Sequence, residues 1–239
     1  MILYYNGTDG IRHCDGQLKM LTIIEEIFLL ALDDTKGQIP NSIAIPLRFT
    51  MSAAILTELF LSGRIKMDPD MKVVLGDETP CGNPLIDEAL DILKAVLTHP
   101  KSMPSLLEEI NPRPKELLKR VGSGLVRQGV LQFAEKKFLW VFPYLVFLQH
   151  DPSIKYWLKQ HLRGVVLAGE VADLHSLMVL NLLQVGHMLD FAFTRDEIRT
   201  ARERIPQMIG EALVNREAIG LVSEIETSVI NLVATAFFY

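Results

Sequence analysis

Helix start and stop signals recur along this chain at spacings that leave little room for an extended sheet. Thr22-Ile-Ile-Glu25 reads as a capping box, because the threonine oxygen can accept a free amide of the first turn while the glutamate side chain reaches back. Ile24, Ile27, Phe28, Ala31 and Leu32 then fall on one helical face, and Asp33-Asp34-Thr-Lys-Gly37 ends the helix. A second helix is expected from about Pro46 to Ser62, with Leu47, Met51, Ala54, Ile55 and Leu59 inward and Gly63 as its left-handed stop. Asn83-Pro84 opens a third, since Asn caps well and Pro suits the first helical position. That helix should run to about Leu97 with Leu85, Ala89, Ile92 and Val96 inward. Asn111-Pro-Arg-Pro breaks the chain before a helix from about Lys115 to Gln128, which Gly129 stops. From Asp151-Pro152 onward nearly everything reads as helical. Thr194-Arg-Asp-Glu197 forms another capping box, Pro206 interrupts, and a helix from Glu217 to Phe238 closes the chain.

Two hairpins break this pattern. Arg64–Met67 and Lys72–Leu75 flank Asp68-Pro69-Asp70, and Val130–Phe133 and Phe138–Phe142 flank Ala134-Glu-Lys-Lys137. Each follows a helix that ends in glycine, a weak internal echo. No Gly/Ser/Pro-rich linker divides the chain, and 239 residues that are 49% hydrophobic are too apolar for disorder. The expectation is a mostly α single domain over residues 21–239. It has a buried helical core, surrounding amphipathic helices and two short β-hairpins. Residues 1–20, where Gly7, Gly10 and Gly16 sit among polar residues without a period, are expected to form a flexible arm.

Several function classes fall away. The longest apolar stretch, Phe138 to Leu148, is 11 residues broken by Pro143, against the roughly 20 that a spanning helix needs. The start lacks the charged front and apolar centre of a secretory signal. Two cysteines, Cys14 and Cys81, make neither a disulfide framework nor a Cys-rich metal site. Dinucleotide, Walker, zinc-protease and nucleophile-elbow motifs are missing, and the six histidines never occur four apart. Gly122-Ser123-Gly124 lies inside a helix, where small residues serve close packing. The expectation is a cytoplasmic, non-enzymatic protein that needs no metal and no cofactor.

Charge is unevenly spread. Between residues 113 and 137, Arg113, Lys115, Lys119, Arg120, Arg127, Lys136 and Lys137 stand against Glu116 and Glu135, a local surplus of five in a chain of net −5. Lys115 and Lys119 are four apart and share a helix face. Phe138-Leu-Trp-Val-Phe-Pro-Tyr-Leu-Val-Phe147 follows directly. A basic helix beside an aromatic hairpin suits an anionic phospholipid membrane: Lys115, Lys119, Arg120 and, from the second helix, Arg48 would contact phosphates, while Phe138, Leu139 and Trp140 would enter the headgroup layer. The plainer reading is a solvated helix face with the hairpin aromatics in the core. Helix plus hairpin also resembles a winged-helix module gripping duplex phosphates, though the net negative charge speaks against nucleic acid. In a third reading the hairpin recruits protein partners or a second copy of the chain.

The residues also resemble a known family. Leu21-Thr-Ile-Ile-Glu-Glu-Ile-Phe-Leu-Leu-Ala-Leu-Asp-Asp-Thr-Lys-Gly37, Ile55-Leu-Thr-Glu-Leu-Phe-Leu-Ser-Gly-Arg-Ile65, Asp77-Glu-Thr-Pro-Cys-Gly-Asn-Pro-Leu-Ile-Asp-Glu-Ala-Leu90 and Leu125-Val-Arg-Gln-Gly-Val-Leu131 look, in that order, like the Golgi phosphoprotein 3 family. The resemblance covers about residues 20 to 239 and extends to prokaryotic relatives. It implies a helical domain with a non-enzymatic, peripheral membrane role. Eukaryotic members read phosphatidylinositol 4-phosphate on the cytosolic face of the Golgi and use a hydrophobic hairpin, here matched by Phe138 to Phe142. The family's pocket tryptophan falls at Ile43 and its arginines at Ser52, Lys115 and Leu118, so that only Lys115 keeps a charge. Arg48 and Lys119, each one turn away, could supply charge to a rebuilt pocket binding anionic lipid less selectively.

Overall fold

In the computed structural model the Thr22 capping box forms, with Glu25 Oε2 accepting from the Thr22 amide at 3.0 Å. The structure describes residues 11–12, 18–19, 21–99, 101–110, 114–138, 142–213 and 215–238; the side chains of 11–12, 18–19, 114, 136–138, 142–145 and 237–238 fall outside that description. Within the expected N-terminal arm, β1 (Ile11–Arg12) pairs antiparallel with β2 (Leu18–Lys19). Then come α1 (Ile23–Ala31), α2 (Ala44–Leu61), the hairpin of β3 (Ile65–Met67) and β4 (Val73–Leu75), and α3 (Pro84–Val96). A short α4 (Met103–Glu109), which periodicity did not suggest, precedes α5 (Pro114–Arg127) and the hairpin of β5 (Leu131–Phe138) and β6 (Phe142–Gln149). α6 (Pro152–Arg163), α7 (Leu174–Val185), α8 (Arg195–Ala212) and α9 (Arg216–Phe238) complete a mostly α single domain.

α1 and α2 are the centre of the core. All nine residues of α1 are buried, not the single face that its periodicity suggests, because α2, α5, α6 and α7 all pack against it. Ile23, Ile24, Ile27 and Phe28 are at most 1% exposed, each contributing about 1.5–3 kcal/mol of burial. α1 therefore carries Glu25 and Glu26 inside as well. Glu26 Oε1 lies 3.4 Å from His175 Nε2 on α7, and Glu58 Oε1 of α2 accepts from the Ile23 amide at 2.5 Å. Burial raises the Glu58 carboxyl above its usual range. Burial alone would lower His175, but the Glu26 carboxylate beside it and the charges of Glu58 and Asp173 outweigh that and lift it to about 9. At the other end of α1, the buried Lys155 of α6 donates to Leu32 O and to Asp34 Oδ1, both at 2.6 Å.

The second hairpin departs from expectation. Ala134-Glu-Lys-Lys137 is strand rather than turn: β5 and β6 pair from Leu131↔Gln149 to Phe138↔Phe142. Those four residues contain no glycine, proline or asparagine to favour a turn, and Pro143 is tolerated because a two-stranded ribbon has only edge strands. Phe138 thus ends β5 and Phe142 starts β6. Leu139, Trp140 and the Phe138 side chain, proposed above as membrane contacts, lie outside the described residues. Nearer its base the hairpin is anchored by Phe147, whose ring sits edge-on to Phe28 at 5.9 Å. Gly122 makes room for that ring: a Cβ there would stand 2.5 Å from it.

Other differences are smaller. The inner face of α3 is Ile86, Ala89, Leu90 and Leu93, with Leu85, Ile92 and Val96 only partly covered at its edge. α8 continues through Pro206, which sits on the exposed side where water can take the carbonyl freed at Arg202. The two glycine stops close alike: Arg64 N donates to Leu59 O at 2.7 Å and Val130 N to Leu125 O at 2.9 Å, about Gly63 and Gly129 at φ +72 and +74. By length and mean hydropathy, 41–61 and 216–236 would suffice to cross a membrane, which a search for unbroken apolar runs misses. The first is the core helix, 67% buried; in the second, which is 39% buried, Leu221, Val222, Ile225, Val229 and Val233 are taken up by the core.

Candidate anion-binding cleft

The first turn of α1, the 81–85 segment that starts α3, and the polar face of α5 enclose a cleft of about 930 Å³. α5 presents Lys115, Lys119, Arg120 and Arg127 to it while Leu117, Val121 and Leu125 hold the helix against the core. Spacings of four, seven and eight return to the same side of a helix, which is why these cations converge. Among the described residues Lys115, Lys119 and Arg127 enter no salt bridge. Arg120 does: its Nη1 donates to Glu88 Oε1 at 2.8 Å and its Nη2 donates to Glu88 Oε2, a two-pronged pair. That hydrogen bonding lowers the Glu88 carboxyl below its usual range and raises the Arg120 guanidinium.

The inner wall is polar. Glu25, only 7% exposed, accepts from Gln128 Nε2 at 2.6 Å as well as from the Thr22 amide. The 81–85 segment is folded on itself: Asp87 accepts from the Cys81 and Gly82 amides at 2.5 and 3.1 Å, and Asn83 Oδ1 caps α3 by accepting from Leu85 N at 3.0 Å. Two helix N-termini, of α1 and α3, therefore open onto the cleft and add partial positive charge to that of the side chains. Glu25 and Glu116 offset part of it. A concavity with surplus cationic donors and two helix starts can hold an anion of headgroup size.

Of the phosphate-contacting residues expected from sequence, the structure brings Lys115, Lys119 and Arg120 together and leaves Arg48 out. Arg48 is half-buried on α2, its guanidinium 5.1 Å from the centre of the Phe49 ring. Ser52 is fully buried, its hydroxyl donating to Arg48 O at 3.2 Å, and Ile43 and Leu118 are partly buried against the core. The family's pocket positions thus meet the cleft at Lys115 alone. Arg127, part of the basic 113–137 window but not among the expected phosphate contacts, joins them two turns beyond Arg120 on the same helix. No local signal points to Glu88, 32 positions from its partner.

Fold and cleft together define a helical domain with a basic concavity at one side of its core. The sequence profile described as Golgi phosphoprotein 3 (GPP34) matches residues 23–225, from the first residue of α1 into α9, and the chain belongs to that family. Vacuolar protein sorting-associated protein 74 of Eremothecium gossypii is 29% identical over 169 residues, 63% of this chain and 50% of its own length. The protein of the same name from Schizosaccharomyces pombe is 29% identical over 167 residues, 61% of this chain and 48% of its own. The chain thus spans about half the length of the curated relatives it matches. None of these names is that of an enzyme.

Proposed function

We propose that this protein attaches peripherally, and without catalysis, to membranes by holding anionic lipid headgroups in the α1/α3/α5 cleft. The observation that carries the reading is the meeting of Lys115, Lys119 and Arg127, without carboxylate partners among the described residues, in one concavity at two helix N-termini. Lysine heads bind phosphate as point charges, so the cleft selects by charge more than by phosphate geometry. Phe138, which ends the strand that Phe147 helps to anchor, and Leu139 and Trp140, next to it in sequence, would supply the apolar contact. A concave arrangement of the cations favours a small headgroup over a nucleic-acid duplex, which needs a projecting helix. Membership of a family named for the Golgi supports an attachment to the cytosolic face of a membrane.

Sedimentation with anionic vesicles across salt concentrations tests this. At about 1 kcal/mol per basic residue near such a surface, replacing Lys115, Lys119 and Arg127 together by Gln should weaken binding by about two orders of magnitude at low salt. Arg48→Gln should bind as wild type does. Absence of wild-type binding at low salt, or a triple variant that binds unchanged, would overturn the reading.

A further inference from the structure

We infer that Glu88 sets the headgroup selectivity of the cleft by occupying both prongs of the Arg120 guanidinium. The inference rests on the cleft being a lipid site. Among the described residues Arg120 is the one cleft cation that is already bound in a two-pronged pair, its Nη1 and Nη2 both donating to the carboxylate of Glu88. Glu88 itself is not part of the cleft wall; it stands one turn beyond Pro84 on α3, so it reaches Arg120 from the side.

The chemistry of the two kinds of cation decides what this pairing does. Ammonium groups attract any anion according to its charge, whereas a guanidinium fork matches two oxygens of one phosphate. A terminal phosphomonoester offers three oxygens and, with a second ionisation near neutrality, up to two charges. A phosphodiester offers two oxygens and a single charge. With Glu88 in place, the Arg120 fork is spent inside the protein, and the cleft meets ligand through Lys115, Lys119 and Arg127. With the pair opened, Arg120 adds a geometric preference for phosphomonoesters. Both side chains are partly exposed, Arg120 by 39% and Glu88 by 53%, so the pair is weak enough for a ligand to break. The same exposure allows Glu88 to be replaced without disturbing the core.

The test compares wild type and Glu88→Gln for binding to phosphatidylcholine vesicles carrying either phosphatidic acid or phosphatidylglycerol at matched surface charge. Glu88→Gln should raise the preference for phosphatidic acid roughly two- to fivefold, the range set by the strength of an exposed ion pair. Adding Arg120→Gln to the same chain should abolish that gain. A change that merely loosened the fold would lower both affinities and leave their ratio alone. Should Glu88→Gln keep the wild-type ratio while binding still depends on Lys119, the inference is wrong and the cleft reading stands. Should wild type bind neither vesicle, both fall together.

Discussion

The buried pair of His175 and Glu26 makes stability depend on pH in a direction opposite to that of an ordinary histidine buried neutral. In the unfolded chain His175 has its usual value of 6.5, and in the folded protein it is lifted to about 9. The folded state binds the proton more tightly, so the contribution is fully present below 6.5 and is lost as pH rises through about 9. His175 is only 19% exposed, which leaves little solvent screening, and the difference corresponds to about 3 kcal/mol. His175→Gln removes the titrating group but keeps a donor facing Glu26. Urea unfolding of both chains from pH 6.5 to beyond 9 gives the assay, read as the wild-type advantage over the variant. That advantage should shrink by about 3 kcal/mol across the window. Taking the difference cancels groups that do not interact with His175, notably Lys155, whose proton affinity burial lowers. A wild-type advantage that stays level with pH would refute the reasoning.

Two further substitutions test the packing that positions the cleft. Gly122→Ala places a methyl 2.5 Å from the Phe147 ring; overpacking of about 1–3 kcal/mol exceeds the gain of about 1 kcal/mol in helix propensity, so the urea midpoint should fall, and a rise would contradict the close approach. Lys155→Met strips Leu32 O of its 2.6 Å donor and Asp34 of its ion pair. It should cost about 1–3 kcal/mol, and an unchanged midpoint would show that the lysine is no fastening between α6 and the end of α1.

What the sequence disclosed and what it hid divide along physical lines. Local signals held: the boxes at Thr22 and Thr194, the Asn83 cap and the stops at Gly63 and Gly129 depend only on neighbours a few residues away. The convergence of Lys115, Lys119 and Arg120 was legible for the same reason, since one helix sets it. The complete burial of α1 was not, because four separate helices impose it. Nor were the polar inner wall, where Glu25 meets Gln128 103 positions away, and the Glu88 partner of Arg120. The polar run Ala134-Glu-Lys-Lys137 reads as a turn from sequence alone, whereas cross-strand pairing carries β5 on to Phe138. Helical spacing puts Arg48 one turn from Ser52, but the fold buries Ser52 completely, so that spacing does not bring Arg48 to the cleft.

The central claim is that headgroups are held between α1, α3 and α5. It is tested most directly by following backbone amide resonances while a short-chain, water-soluble phosphatidylglycerol is titrated below its micelle concentration. Shifts should concentrate at Thr22 and Glu25, at Gly82 and Asn83, and along Lys115 to Gln128. Shifts that gather instead around Arg48 or Tyr156, with the cleft amides unmoved, would contradict it.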